Sequence, residues 1–175
     1  MKLRPFSFLV LRGLALAACG TGTGELHGTN PAYDRLLRVL YRHTVPLVPP
    51  AALAKELSQP MPPLLFDVRT PAEYRVSHLP GAQFVDFDSL QTQQFAGLDR
   101  ARPVVVYCSV GYRSERLGER LQQLGFQRVR NLYGGLFEWV NEGYTVRDAQ
   151  GPTTRVHPYS ALWSPWLQRG RKAYE

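Results

Sequence analysis

Cysteine is nearly absent from this chain of 175 residues, which holds two, Cys19 and Cys108. One pair does not make a disulfide-stapled scaffold, so the fold has to be held by a hydrophobic core. No second motif histidine or cysteine accompanies either one, so neither a metal site nor a cofactor is expected. The formal net charge is +7, yet there is no continuous Lys/Arg run and no basic stretch interleaved with aromatics. That pattern excludes a nucleic-acid partner from the leading readings. Internal repeats and long low-complexity segments are also missing, and the length after the N-terminal stretch suits one domain.

What the N-terminus does have is a basic start (Lys2, Arg4, Arg12), apolar runs through Phe6–Leu11 and Gly13–Leu16, and no acidic residue before Glu25. This is the layout of a signal peptide, too short and too interrupted to span a bilayer. The run Leu16-Ala17-Ala18-Cys19 resembles the lipobox of bacterial lipoproteins. That resemblance implies a signal peptide over residues 1–18 and acylation of Cys19 as the new N-terminus. It implies an extracytoplasmic protein held to a bacterial membrane by lipid. Gly20 after Cys19 points to the periplasmic side of the outer membrane. Loss of Lys2, Arg4 and Arg12 would leave 18 basic against 14 acidic residues, a net of +4. The Gly/Thr run 20–24 reads as a tether, so residues 19–29 are assigned to the lipidated cysteine and a flexible linker.

Strand-like and helix-like segments then alternate. Asn30-Pro31 opens a helix with Leu36, Leu37, Leu40 and Tyr41 on its apolar face. Short strands are expected at 45–48, 64–68, 83–87, 103–107 and 128–132. Helices are expected at 49–57, 71–77, 91–98, 113–124 and 136–142, with Gly125 as a stop. The alternation predicts an α/β fold, a central parallel sheet flanked by helices, spanning residues 30–148. Residues 149–175 form a Pro- and aromatic-containing tail with Tyr159, Trp163 and Trp166, whose place the pattern leaves open.

Cys108 stands where the run Pro103–Tyr107 gives way to a glycine-bearing loop and a helix start. Ligand sites of parallel sheets lie at the carboxyl ends of strands. Loop N–H groups and the positive end of a helix favour an anionic sulfur, and the thiolate is the nucleophilic form.

Four segments in order resemble the rhodanese (sulfurtransferase) family. They are Asp67–Tyr74 (DVRTPAEY), His78–Ala82 (HLPGA), Val104–Ser114 (VVVYCSVGYRS) and Leu132–Trp139 (LYGGLFEW). The resemblance implies a single rhodanese-like domain and Cys108 as the sulfur-accepting nucleophile. Cys108 would take sulfane sulfur from a small anionic donor such as thiosulfate, or from a persulfide. The sulfur would pass on to a thiol or cyanide acceptor. Substrate contacts are then expected from Ser109, Val110, Gly111, Tyr112, Arg113 and Ser114. Arg113 would hold donor oxygens, Gly111 would supply positive φ, and Tyr112 would shape the pocket mouth. Asp67 and Arg69 are expected to organise nearby loops, Glu73 to pair with Arg69, and His78 to be structural. Two other readings compete. One is a non-catalytic sulfur-binding or redox-sensing module. The other is a phosphatase or arsenate reductase, which the four residues between Cys108 and Arg113 disfavour, because those families space the pair one residue wider.

Overall fold

The computed structural model describes residues 26–175. The expected signal peptide, Cys19 and the Gly/Thr run therefore lie outside the described residues. Among the described residues, no helix is long and apolar enough to cross a membrane.

The first helix, α1 (Pro31–Leu40), starts as its sequence dictates: the Asn30 side chain accepts from the N–H groups of Ala32 and Tyr33, and Pro31 sits where no N–H is needed. The chain ahead of it is already fixed. The N–H of Gly28 donates to Asp34 Oδ1 at 2.8 Å, and that of Thr29 donates to the Glu138 carboxylate.

The elements that follow are β1 (Leu47–Val48), α2 (Pro50–Leu57), β2 (Leu64–Asp67), α3 (Pro71–Val76), β3 (Gln83–Phe84), β4 (Val104–Tyr107), α4 (Tyr112–Gln123), β5 (Val129–Leu132) and α5 (Gly135–Asn141). Five parallel strands form one sheet in the order β1-β5-β4-β2-β3, with β4 in the middle. Every residue of β2 and β4 is buried, as strands covered on both faces require. Leu65, Val105 and Tyr107 enter the core shared with α1, α2 and α5, whereas Leu64, Phe66, Val104, Val106 and Cys108 enter the core beside α4. Cys108 continues the two-residue alternation of β4, so its side chain emerges on the α4 side.

Three elements are clearly shorter than the pattern suggested, the first being β1, two residues long instead of the four expected over 45–48. The strand expected over 83–87 is two residues long, although the N–H of Val85 still donates to the carbonyl of Asp67. The helix expected over 91–98 is a single 3-10 turn, Thr92–Phe95, placing Phe95 against Phe66.

The tail folds back on the domain. Its β7 (Gly151–Thr153) pairs antiparallel with β6 (Val146–Asp148), which ends the preceding domain, and its β8 (Arg155–Val156) and β9 (Arg171–Lys172) pair in parallel. Val156 and Leu167 join the core, and Trp166 stacks on Tyr33 of α1 with centroids 5.4 Å apart. The Asn141 side chain at the end of α5 holds the returning chain. Its Nδ2 donates to Trp166 O at 2.9 Å, and its Oδ1 accepts from the N–H groups of Gln168 and Arg169.

Candidate active site

The loop from Cys108 to Gly111 joins the carboxyl end of β4 to α4. All four of its carbonyls are bound from outside. Leu136 N–H donates to Cys108 O at 2.9 Å and Phe137 N–H to Ser109 O at 3.0 Å. Tyr41 Oη donates to Val110 O at 2.7 Å, and Asn131 Nδ2 donates to Gly111 O at 2.9 Å. In a trans peptide the C=O and the following N–H point opposite ways, and no peptide bond here is cis. Tying the carbonyls outward therefore turns their partner N–H groups the other way. The peptide between Val110 and Gly111 shows the result: its carbonyl faces Tyr41, and its N–H donates to Cys108 Sγ at 3.2 Å.

The glycines make this packing sterically admissible. Gly111 has φ +96°, and a Cβ there would stand 2.2 Å from Tyr41 Oη. Gly135, at the start of α5, lies so close to the loop that a Cβ would meet Cys108 O at 2.4 Å. The supports are themselves braced. Tyr41 Oη accepts from Gly134 N–H at 3.0 Å, and Asn131 Oδ1 accepts from Ser114 Oγ at 2.8 Å.

Arg113, in the first turn of α4, points its Nη2 at Glu73 of α3, 3.1 Å from each carboxylate oxygen. Ser109 Oγ donates to Glu73 Oε1 at 2.6 Å. Burial pushes the Glu73 carboxyl up, but the charges of Arg113 and Arg69 and the Ser109 hydrogen bond outweigh it and hold the group below its ordinary range. Burial likewise opposes the charged form of Arg113, and the electrostatic influence of Cys108 and Glu73, with the Glu73 hydrogen bond, overcomes it and raises its pKa. Glu73 also closes a capping box with Thr70 at the start of α3.

Behind this pair, Arg69 is bound by Asp67 rather than by Glu73, the partner expected from the sequence. Arg69 Nη2 lies 2.6 Å from Asp67 Oδ2 and also donates to Ser77 O at 2.6 Å. Asp67 is two residues away at the very end of β2, and it additionally accepts from Tyr107 Oη at 2.6 Å. The loop-organising role expected of Asp67 and Arg69 matches these bonds. His78 is occupied structurally: its Nδ1 contacts Tyr74 O at 3.0 Å, and its ring stacks on Tyr74 with centroids 4.0 Å apart.

Above Cys108 lies a cavity of about 250 Å³. Of the residues expected to contact substrate, Ser109, Val110, Tyr112 and Arg113 line it, with Cys108 at its base. Gly111 contributes its N–H rather than a wall. Ser114 is turned inward to Asn131 and does not line this cavity. Leu40, Tyr159 and Trp163 complete the wall. Tyr41 and Asn131 were not singled out from the sequence as loop supports. Asn131 follows Arg128 and Arg130 in a stretch with several polar residues and so gave no signal, and Tyr41 read simply as part of an apolar helix face. Nothing in the sequence linked Tyr159 or Trp163 to Cys108. Among the described residues, no group of three or more His, Cys, Asp or Glu side chains is arranged to hold a metal.

The fold agrees with the comparisons. The family model described as "Rhodanese-like domain" matches residues 50–142, just over half of the chain. The chain belongs to the rhodanese-like family. A sulfurtransferase of Allochromatium vinosum is 32% identical to it over 100 residues, covering 57% of this chain and 92% of the relative. The thiosulfate sulfurtransferase GlpE of Coxiella burnetii is 32% identical over 76 residues, covering 43% of this chain and 70% of the relative. The crystal structure of a rhodanese-related protein from Thermoplasma volcanium superposes with a TM-score of 0.52 at 26% identity, covering 58% of this chain and 97% of that one. The family and its sulfurtransferase relatives support a sulfurtransferase-type enzyme. The matched span of this rhodanese-like domain stops short of Tyr159 and Trp163, and begins after Leu40.

Proposed function

We propose that Cys108 is the sulfur-carrying nucleophile of a sulfurtransferase. The observation that supports this best is the Gly111 N–H donating to Cys108 Sγ within a loop whose carbonyls are all bound elsewhere. An anionic sulfur at the positive end of α4 is favoured there. In the first step the Cys108 thiolate attacks the outer sulfur of thiosulfate or a persulfide. The donor S–S bond breaks, and sulfite or a thiolate leaves with the electron pair. The Cys108 persulfide then carries the sulfur. An acceptor thiolate or cyanide attacks its outer sulfur, and Cys108 leaves as the thiolate, ready for another cycle. Such a double displacement gives ping-pong kinetics. In this reading Arg113 fixes Glu73 and Ser109 beside the thiol, and Tyr112, 43% exposed at the cavity rim, meets the acceptor first.

The deciding experiment is intact mass of the full chain before and after a sulfur donor, with Cys108→Ser as control. Wild-type protein gains one sulfur atom that cyanide removes, and the variant gains none. A sulfur-free Cys108 after thiosulfate, polysulfide and organic persulfide would leave a non-catalytic sensing module as the better reading. We further propose that the protein works lipid-anchored through Cys19, on the strength of the lipobox-like sequence. Radiolabelled palmitate incorporated by the wild-type chain and not by Cys19→Ser in a bacterial host is the expected result.

A further inference from the structure

The wall above Cys108 differs in character from the loop beneath it. Leu40, Val110, Tyr112, Tyr159 and Trp163 make most of it apolar and aromatic. Arg113 is the single cationic side chain in the lining, and Glu73 engages it with both carboxylate oxygens. The pair leaves little net positive charge for a small dianion. Moving a dianion against apolar surface is costly unless charge or hydrogen bonds match it. At about 250 Å³ the cavity has room for on the order of eight groups the size of water, which is less than drug-sized ligands need. Cys108 is 1% exposed, so a bulky partner cannot touch it directly.

Tyr159 is held in place at a cost. It has φ +64°, a left-handed conformation that bulky side chains rarely adopt. Two interactions sustain it. Its N–H donates to His157 Nδ1 at 3.0 Å, and its ring lies 4.9 Å from the Arg113 guanidinium carbon. The backbone is thus bent so that an aromatic face covers the one cation of the cavity.

We propose that the sulfur donor of this protein is a small organic persulfide with an apolar group, and that Tyr159 and Trp163 determine that choice. This rests on Cys108 being the sulfur acceptor. The apolar group sits against the Leu40, Tyr159 and Trp163 wall while the terminal sulfur reaches Cys108 Sγ. The Cys108 thiolate attacks the terminal sulfur of R–S–SH. A new S–S bond forms on Cys108, the old one breaks, and R–S⁻ leaves with the electron pair. No oxidant or reductant is consumed.

The test offers the full chain three donors separately, benzyl persulfide, glutathione persulfide and thiosulfate, and follows sulfur loading of Cys108 by intact mass. Each rate is divided by that of the same donor with free N-acetylcysteine, which removes intrinsic reactivity. Benzyl persulfide is expected to lead both others by about tenfold or more. Tyr159→Ala and Trp163→Ala are expected to shrink its lead over glutathione persulfide several-fold, and Trp163→Phe to preserve it. The wild-type series decides the matter even where a variant fails to fold. Equal normalised rates, or thiosulfate fastest, would overturn this donor class while leaving Cys108 as a sulfur acceptor. No sulfur on Cys108 from any donor would overturn the sulfurtransferase reading and this inference with it.

Discussion

Glu73 and Arg113, forty residues apart in sequence, meet beside the nucleophile loop with Arg113 Nη2 at 3.1 Å from both carboxylate oxygens. The carboxylate is 1% exposed and also takes the Ser109 hydroxyl, so one buried charge ties α3, the loop and α4 together. Replacing it by an amide keeps the shape and removes the charge. Glu73→Gln is expected to cost about 1.5–3 kcal/mol in chemical denaturation, the range for hydrogen bonds to charged groups. The same variant frees Arg113 to meet an anion, so its relative rate with thiosulfate over an uncharged donor should rise. The acid limb of stability changes too. The Glu73 carboxyl titrates below its ordinary value of 4.5 in the folded protein. It therefore contributes stability above about pH 4.5, and that contribution is lost as pH falls through the folded value. In Glu73→Gln this part of the acid loss should be absent.

Gly111 carries a conformational and a steric demand at once. Its φ of +96° disfavours any side chain, and a Cβ would stand 2.2 Å from Tyr41 Oη and 2.9 Å or less from two ring carbons. Gly111→Ala is expected to destabilise the protein by more than about 1 kcal/mol, because neither the backbone nor the buried tyrosine can yield freely. Its N–H is also the donor to Cys108 Sγ. The time profile of Cys108 alkylation by a small reagent at fixed pH should be slower in the variant, because the donor to the sulfur is displaced. An unchanged profile would remove Gly111 from the account of how the thiolate is stabilised.

The parallel sheet and the position of Cys108 were legible because they are written in local sequence. The Val-Val-Val-Tyr run, the glycine after it and the helical spacing from Arg113 are contiguous signals. The N-cap Asn30 was legible for the same reason, whereas the capping box of Thr70 and Glu73 was not singled out before the structure showed it. What the sequence did not display were pairings across distance. Glu73 stands four residues from Arg69 and so looked like its partner, yet Asp67 takes Arg69 because it ends the neighbouring stretch of β2 in the same buried layer. Tyr41 and Asn131 reach the loop only through the fold, from α1 and β5. The tail offered Pro and aromatics without periodicity. Its β8 and β9 are two residues each, below the length at which alternation can be read.

His157 links the tail to pH. Its Nδ1 accepts the Tyr159 N–H, which requires that nitrogen to be unprotonated. Burial lowers its pKa below the ordinary 6.5, Arg69 and Arg113 lower it further, and Glu73 acts in the opposite direction. A histidine with a lowered folded pKa contributes stability in full above about pH 6.5, and loses it as pH falls toward the folded value. Protonation also removes the acceptor that holds Tyr159 over Arg113. Amide exchange of Tyr159 and the fluorescence of Trp163 should therefore respond together as pH falls below the ordinary histidine value toward the lowered folded one. In His157→Phe that response should vanish. A pH-independent Tyr159 amide in the wild-type protein would sink the idea.

Asn141 gives the last and broadest prediction, because it couples stability of the tail to access at Cys108. Three backbone groups of the returning chain, Trp166 O and the N–H groups of Gln168 and Arg169, depend on this one buried amide. Asn141→Ala leaves them without those partners, at a cost of about 1–3 kcal/mol for each group that stays dry. The cheaper outcome for the chain is local opening of residues 157–170, in which water replaces the lost amide. Such opening swings Tyr159 and Trp163 off the cavity. Limited proteolysis should then cut the tail of Asn141→Ala sooner than that of wild type. Cys108 should also react faster with a bulky maleimide while keeping its rate with a small alkylating agent. An equal rise with both reagents would instead indicate that the loop around Cys108 had loosened. No rise with either would mean that the tail does not wall the cavity in solution.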